Sequence, residues 1–482
     1  MRTVRSRFVL VSAALALAAA AALDLGAQRP LFTDVFPPDE FAARRAHVLE
    51  QIGDGIAVLQ GAAEYPAYVR FRQNNHFFYL TGVEVPRALL LLDGRTRQAT
   101  LFLPARNERL EQSEGPVLVP GAEAARLTGI ADVQPREAFR ARVAAAVGQR
   151  RAVYTPMRAE SLGAGTPTAA QAHAAATAAD PWDGRPSREQ AFHGRLKAAA
   201  PGAELRDLDP VLDAMRLIKS PREIAVIREA TRLSGLALME GMRAARPGMR
   251  EHELEAIGDW VFKRHGAQGF AYFALVAAGT NAHYPHYHGG AAELRDGELV
   301  LFDYAPDYKY YASDVTRMFP ANGRFSPGQR ELYATYVKLY MALMESIRPG
   351  VAPREIIETA VGRMEKVLGA TAFQDTRNRA AAESFVERYR TTTRNSLGHM
   401  VGMEVHDVVV PFDTLKPGMV FTIEPPITIP GERVYVRLED VILVTPAGYE
   451  NLSAFVPMDV DGIERLMAEP SRFDAPVPAT FE

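Results

Sequence analysis

Leu299 to Met318 reads LVLFDYAPDYKYYASDVTRM, and how this stretch pairs decides the fold. Leu299-Val300-Leu301-Phe302 is an apolar, β-prone run. Pro306-Asp307 signals a turn, and Tyr310 through Val315 and Thr316 forms a second, aromatic and β-branched run. The stretch predicts a β-hairpin with one acid on each arm, Asp303 and Asp314. A carboxylate that follows four apolar residues falls at the end of a buried strand, where an isolated charge is too costly to desolvate. Two facing carboxylates also repel, which calls for a cation between them. Taken alone, such a pair most often marks two surface acids, so the reading turns on what else the chain supplies.

The rest of the chain supplies a repeat. Ser220-Pro221 opens a helix with Ile224, Ile227, Leu238 and Met242 on one face, ending at Arg246-Pro247-Gly248. A second helix follows, with Leu254, Ile257 and Val261 at helical spacing, and then the strands above. Ser326-Pro327 opens the same order again. Its helix carries Leu332, Tyr336, Leu339 and Leu343 and ends at Arg348-Pro349-Gly350, before a helix with Ile357, Val361, Met364 and Leu368. A second hairpin is expected from Met419–Ile427 paired with Val434–Val444, again with one acid per arm, Glu424 and Glu439. Halves related by a pseudo-two-fold axis would bring four carboxylates together, untenable without cations. Between the hairpins, GHMVGMEVHD (398–407) offers histidines seven residues apart. One imidazole added to four carboxylates makes an oxygen-rich site with room for two divalent ions, and such ligation favours Mn²⁺.

Upstream, residues 31 to about 200 read as an α/β domain. A helix is expected over Asp39–Ile52, with strands over Gly55–Gln60, Ala88–Leu92 and Ala99–Leu103. RQNNHFFYLTG (72–82) reads as a polar turn running into an aromatic strand. Residues 157–200 read as loops and short helices, and Pro210–Ser220 as a connection. At the start, Arg2, Arg5 and Arg7 precede the 16 uncharged residues Phe8–Leu23, and Leu25-Gly26-Ala27 stands before Gln28. This is the layout of a cleaved secretory signal over residues 1–27, too short for a comfortable membrane span. The expectation is a periplasmic or secreted protein with no stable membrane anchor after cleavage. The absence of cysteine excludes disulfides, thiolate metal sites and a cysteine nucleophile. A net charge of −3 gives no basic excess for nucleic acid. The tail 467–482 is expected to be disordered.

Residues 221–445 resemble the pita-bread metallopeptidases, a superfamily of aminopeptidase P, prolidase, methionine aminopeptidase and creatinase. The resemblance rests on LVLFD, YASDVTRMFP, GHMVGMEVHD, GMVFTIEPP and VRLED in that order. FRQNNHFFYLTGVEVPRALLLL (71–92) is similar to the preceding domain of aminopeptidase P, which methionine aminopeptidase lacks. The resemblance implies an α+β chain: a smaller α/β domain (31–200) followed by a pita-bread domain (210–465) of two helix-helix-hairpin halves. It implies metal ligands Asp303, Asp314, His399, Glu424 and Glu439 for two divalent ions, Mn²⁺ first with Co²⁺ or Zn²⁺ as alternatives. Asp314 and Glu439 would bridge the ions, with Asp303 bidentate to one of them.

The implied activity is release of the amino-terminal residue from peptides with proline second. Water activated at the metals would attack the scissile carbonyl. Glu424 would carry the proton, His406 would bind the carbonyl oxygen, and His286 would contact the leaving side. Arg437 aligns with an arginine near the prolyl side. Three positions depart from the family pattern. Asn395 replaces a pocket histidine, which loosens the expected proline selectivity. Phe78 replaces a tryptophan, and Tyr304-Ala305-Pro306 replaces a small pair and would narrow the pocket. A prolidase-like or relaxed peptidase, and a non-catalytic peptide-binding homologue, are the alternatives. Family members form dimers or tetramers, so a homo-oligomer is expected.

Overall fold

The computed structural model describes residues 34–66, 68–148, 151–161, 166–429 and 431–473; the expected signal segment lies outside them. The chain divides into two compact units. One comprises the described residues up to Arg158 with Arg185–Leu212, and the other comprises Ala159–Gly184 with the described residues from Asp213 onward. No helix among the described residues is long and apolar enough to cross a membrane.

The first unit is built on a six-stranded mixed sheet. Its elements are α1 (Pro38–Gln51), β1 (Ile56–Gln60), α2 (Asn75–Thr81), β2 (Leu89–Asp93), β3 (Gln98–Leu103), β4 (Asp132–Pro135), α3 (Phe139–Val147), β5 (Ala152–Thr155), α4 (Arg188–Ala199) and β6 (Glu204–Asp207). The strand order is β4-β3-β2-β1-β5-β6. Pairing is antiparallel from β1 to β3 and parallel at β3–β4, β1–β5 and β5–β6. Val58, Leu91 and Phe102 of the sheet bury one face against Val143 of α3 and Phe192 and Leu196 of α4.

Two expectations fail in this region. The aromatic run 76–79 lies in the helix α2, not in a strand. Asn74 Oδ1 accepts from the Phe77 amide at the helix start, and Gly82 closes it at φ 67°, a left-handed position suited to glycine. These caps outweigh the β preference of the aromatics. Residues 157–200 hold two helices of substantial length, Pro167–Ala179 and α4, the latter opened by a Ser187–Gln190 capping box.

The second unit carries the repeat. After α5 (Asp209–Leu217), a helix that makes up most of the expected connection, come α6 (Pro221–Ala244) and α7 (Glu251–Arg264). The strands β7 (Gly269–Phe270), β8 (Leu275–Ala278), β9 (Leu299–Asp303), β10 (Pro306–Asp307) and β11 (Thr316–Pro320) follow. The second half runs α8 (Pro327–Met344), α9 (Pro353–Ala370), α10 (Thr376–Thr391), β12 (Val420–Ile423), β13 (Ile427–Ile429), β14 (Val434–Val436), β15 (Asp440–Thr445) and β16 (Gly448–Asn451), closed by α11 (Val460–Met467). Each half has an antiparallel three-stranded sheet, β8-β9-β11 and β12-β15-β16. The capping boxes at Ser220 and Ser326 and the proline after each match across the halves, whereas α10 has no counterpart in the first.

The first hairpin differs from its expected form. Pro306-Asp307 does not turn the chain but pairs with Gly269-Phe270, and the returning arm begins only at Thr316, opposite Asp303. Tyr310–Ser313 instead cross the surface of α6, where the Tyr311 hydroxyl donates to Glu223 (2.8 Å) and Ser313 to Thr231 (2.9 Å). These side-chain bonds give the aromatic segment partners other than a strand ladder. At the carboxyl end, the first residues of the expected tail are held to α6. Ser471 and the Arg472 amide both donate to Glu240, and Phe473 packs edge-on against Trp260 of α7.

One main-chain exchange joins the two sheets. The Thr316 amide donates to the Glu439 carbonyl (3.3 Å) and the Glu439 amide to the Thr316 carbonyl (3.2 Å). Beneath this seam Arg317 and Asp440, both fully buried, pair at 2.7 Å. Ser453 and Tyr340 also donate to Asp440, at 2.6 and 2.8 Å. Burial works against the Asp440 charge, but Arg317 and these donors hold its carboxyl below the usual range. Asp440→Ala strands the Arg317 charge in the interior and is expected to lower stability by about 3–5 kcal/mol. Urea unfolding followed by tyrosine fluorescence measures this, and a loss under about 1 kcal/mol would show that the pair does not hold the seam.

Candidate metal centre

The acids gather where the strands meet that seam. Asp303 ends β9 and Asp314 precedes β11 by two residues; Glu424 follows β12 and Glu439 precedes β15. His399 runs alongside β12, its carbonyl accepting from the Thr422 amide at 2.9 Å. A Cβ on the preceding Gly398 would lie 1.9 Å from the Thr422 carbonyl oxygen, so only glycine lets this segment approach. Three sets of donor atoms fall within 4.8 Å of one another: Asp303–Asp314–Glu439, His399–Glu424–Glu439, and Asp314–His399–His406. The five residues expected as ligands are thus brought together, and Glu439 belongs to two of the sets.

The side chains of Asp303, Asp314 and Glu439 are 3%, 8% and 1% exposed, while that of Glu424 is 31% exposed. Thr316 Oγ1 donates to Glu439 Oε2 at 2.7 Å, and Glu439 Oε1 is buried with no hydrogen-bond partner among the described residues. An orphaned, buried carboxylate oxygen beside three other acids is the chemistry of a cation site. The donor set, carboxylates with one imidazole and no thiolate, fits a hard divalent ion.

The protonation of the cluster reflects its crowding. Burial, with the neighbouring Asp303 charge, pushes the Asp314 carboxyl up to about 6. Burial also raises Asp303 to about 6, Arg437 opposing and Glu439 adding to the shift. Burial and Glu439 raise Glu424 to about 7. Burial disfavours a charged His399, yet its contacts with Asp314 and Glu439 hold the imidazolium well above its ordinary range. His406 stacks on His399 with ring centroids 3.7 Å apart and planes 7° apart. Its own burial, together with the His399 charge, lowers it to about 3 and keeps it neutral.

The remaining site residues divide. His286 is exposed on the loop between β8 and β9. Asn395 is exposed on the loop before His399. Arg437 does not stand apart as a substrate contact. It is buried among the acids, bonded to Asp303 Oδ2, 3.1 Å from Thr316 Oγ1 and 3.5 Å from Glu424 Oε2, because a guanidinium is the cation the four carboxylates can recruit from the chain. Tyr304 does not narrow the opening. It is fully buried, its hydroxyl donates to Asp259 of α7 at 2.5 Å, and its ring packs on Phe262. The aromatic packing and a polar partner on α7 draw it away from the acids.

Sequence reasoning missed Tyr272, whose hydroxyl lies 2.6 Å from Asp303 Oδ1 and 2.7 Å from Asp314 Oδ1. A lone tyrosine between strands gives no spacing signal. Thr316 was passed over as a strand residue, although its position two after Asp314 puts both side chains on one face of an extended chain. Asp407, beside His406, was also missed. It is buried against Arg216 and against Lys219 Nζ at 3.0 Å, and its amide donates to the Met400 carbonyl, closing the segment that carries both histidines.

The profile of Metallopeptidase family M24 matches residues 225–446, and that of the aminopeptidase P amino-terminal domain matches residues 41–154. The chain is 32% identical to the Xaa-Pro aminopeptidase of Escherichia coli over 89% of its own length and 97% of the relative. It is 30% identical to human Xaa-Pro aminopeptidase 3 over 83% of its length and 78% of the relative. The solved E. coli aminopeptidase P with the inhibitor Pro-Leu superposes with a TM-score of 0.71 at 30% identity, covering 89% of this chain and 98% of that one. The Pseudomonas aeruginosa aminopeptidase gives 0.72 at 31%, covering 90% and 98%. The fold and site therefore define a hydrolytic enzyme, a metallopeptidase with the pita-bread fold. The chain belongs to metallopeptidase family M24, in its aminopeptidase P branch, with that branch's amino-terminal domain.

Metal removal should expose the crowding. Asp303, Asp314 and Glu424 have folded values above their unfolded ones, so their protonation stabilises the metal-free fold at low pH. That contribution fades as pH rises from about 4 through 6 to 7. Metal competes with the same protons. The rise in melting temperature when Mn²⁺ is added to chelator-treated protein is therefore expected to be larger at pH 8 than at pH 5.5. Scanning calorimetry gives both values, and an equal or reversed difference would contradict this protonation scheme.

Proposed function

We propose that the chain removes the amino-terminal residue from peptides with proline in second position, using two divalent cations held by Asp303, Asp314, His399, Glu424 and Glu439. The observation that carries this reading is the pair of donor sets sharing Glu439, which offers two adjacent positions with one carboxylate common to both. The substrate class comes from the relatives' names and from Pro-Leu as an inhibitor of the E. coli enzyme. Mn²⁺ suits the oxygen-rich donors; Co²⁺ and Zn²⁺ fit them as well.

When bound, the cations polarise the scissile carbonyl and lower the pKa of the attacking water. The chain's own groups do the rest. Glu424, the most exposed of the four acids, accepts the water's proton at a carboxylate oxygen and delivers it to the leaving nitrogen. His406 is neutral and donates one ring N–H to the carbonyl oxygen as negative charge develops there. His286 contacts the leaving side. Arg437 and Tyr272 hold Asp303 and Asp314 in place, so that the carboxylates need not reorganise during the reaction. Asn395 offers the proline ring less flat surface than an imidazole would, which loosens the preference for proline.

A prolidase-type dipeptidase is the second reading, favoured by 27% identity to human Xaa-Pro dipeptidase over 89% of the chain. Metal-loaded protein given Xaa-Pro-Xaa, Xaa-Ala-Xaa and Xaa-Pro peptides separates the two. The tripeptide with proline is expected to be cleaved fastest, with measurable cleavage of the alanine peptide. Turnover of the dipeptide alone would assign the second reading. Glu424→Gln is expected to lower kcat by about 10²–10⁴-fold; a loss below tenfold would remove Glu424 as the proton carrier.

We further propose that residues 1–27 direct export to the periplasm or beyond, and that the mature chain forms a dimer or tetramer. The arginine-led start and its apolar run support the first point, and the habit of the family supports the second. Amino-terminal sequencing and light scattering of protein recovered from the periplasm test both. An intact Met1, or a monomer at micromolar concentration, would refute the respective point.

A further inference from the structure

The loop between β8 and β9 carries His286 and is largely exposed, yet one buried side chain gathers both of its ends. Glu251, the first residue of α7, has no exposed surface. Its Oε1 accepts from the Ala278 amide at 2.8 Å and from Asn281 Nδ2 at 3.0 Å, and its Oε2 accepts from the Ala292 amide at 3.1 Å. Main-chain bonds extend the clamp: the Glu251 amide donates to the Ala292 carbonyl (3.0 Å) and the His252 amide to the Gly290 carbonyl (2.9 Å). Arg250 Nη1 reaches the Ala291 carbonyl at 2.8 Å.

We propose that Glu251 is a positioning residue for the reaction: it fixes the 278–292 loop so that His286 is presented to the peptide. This rests on the reading that His286 touches substrate. The three donors to the Glu251 carboxylate, at 278, 281 and 292, all come from the loop. An ionised carboxylate buried without partners carries a heavy desolvation penalty. Opening the loop would strand that charge, so the burial of Glu251 and the closed loop form one cooperative unit. Glu251 also sits at the start of α7, where the positive end of the helix dipole favours a negative charge. Pinned at 278, 281 and 292, the loop holds the segment that carries His286. Sequence alone gives no hint of this, since Glu251 lies 35 residues before His286 and belongs to a helix.

Glu251→Gln keeps the size of the side chain but replaces one acceptor oxygen with a donor facing an amide. In the metal-loaded enzyme it is expected to raise hydrogen exchange selectively across 278–292. It should lower kcat/KM at least tenfold, mainly through KM, with metal content unchanged. In a His286→Ala background the same substitution should cost less than twofold, because the loop then has nothing to present. Unchanged exchange and kcat/KM in Glu251→Gln would overturn the proposal. So would an equal loss in the His286→Ala background, which would assign Glu251 to the fold alone. If the wild-type enzyme cleaves no peptide, the functional reading fails, and the exchange measurement still decides the clamp. Should Glu251→Gln not fold, Asn281→Ala removes a single arm. It is expected to raise KM by two- to fivefold with faster exchange near 281, and no change in either would count against the clamp.

Discussion

Four carboxylates held in one small, mostly closed space are the constraint on which the second unit depends. Each would be ionised in water at neutral pH, and each is costly to bury in that state. The protein answers with what it has. Arg437 lies among the acids, His399 is held as an imidazolium, and the hydroxyls of Tyr272 and Thr316 donate inward. Even so, three carboxyls retain protons to about pH 6–7, and one oxygen of Glu439 has no partner among the described residues. The cluster is thus left short of positive charge, and that shortage is the driving force for binding cations.

The duplicated topology is what concentrates the acids. The two sheets meet through the Thr316–Glu439 exchange, and successive residues of an extended chain point to opposite sides. Thr316 and Glu439 therefore look into the site, while Arg317 and Asp440 look into the core and form the buried ion pair. One pairing serves both purposes. The alternation explains why the Leu-Glu-Asp run has two adjacent acids with unlike roles: the first is short of partners and the second is fully satisfied by Arg317, Tyr340 and Ser453.

Much of this was legible in the sequence, and the reasons are physical. The ligand acids lie at the ends of apolar strands, and hydrophobic patterning locates strand ends well. The repeat was visible because Ser-Pro starts and Arg-Pro-Gly ends are chemical punctuation tied to helix termini. What escaped was local competition and long-range contact. The 72–82 segment was misread because caps at Asn74 and Gly82 overrule aromatic β preference. Tyr304 was misplaced because its partner, Asp259, is 45 residues away. The contact of Arg437 with Asp303 was not foreseen, since only the converged acids reveal the demand for its charge. Tyr272 left no trace in spacing at all.

The seam has a consequence for how a divalent ion would be held. Asp303 and Asp314 belong to one half of the repeat and Glu424 and Glu439 to the other, so neither half holds all four of the clustered acids. A cation seated there acts as a cross-link between segments more than a hundred residues apart, closing a loop that the backbone joins by a single pair of hydrogen bonds at this point. The ion thus adds a tie to those the seam already provides through Arg317–Asp440 and Arg437–Asp303, and its loss would loosen the seam without severing it.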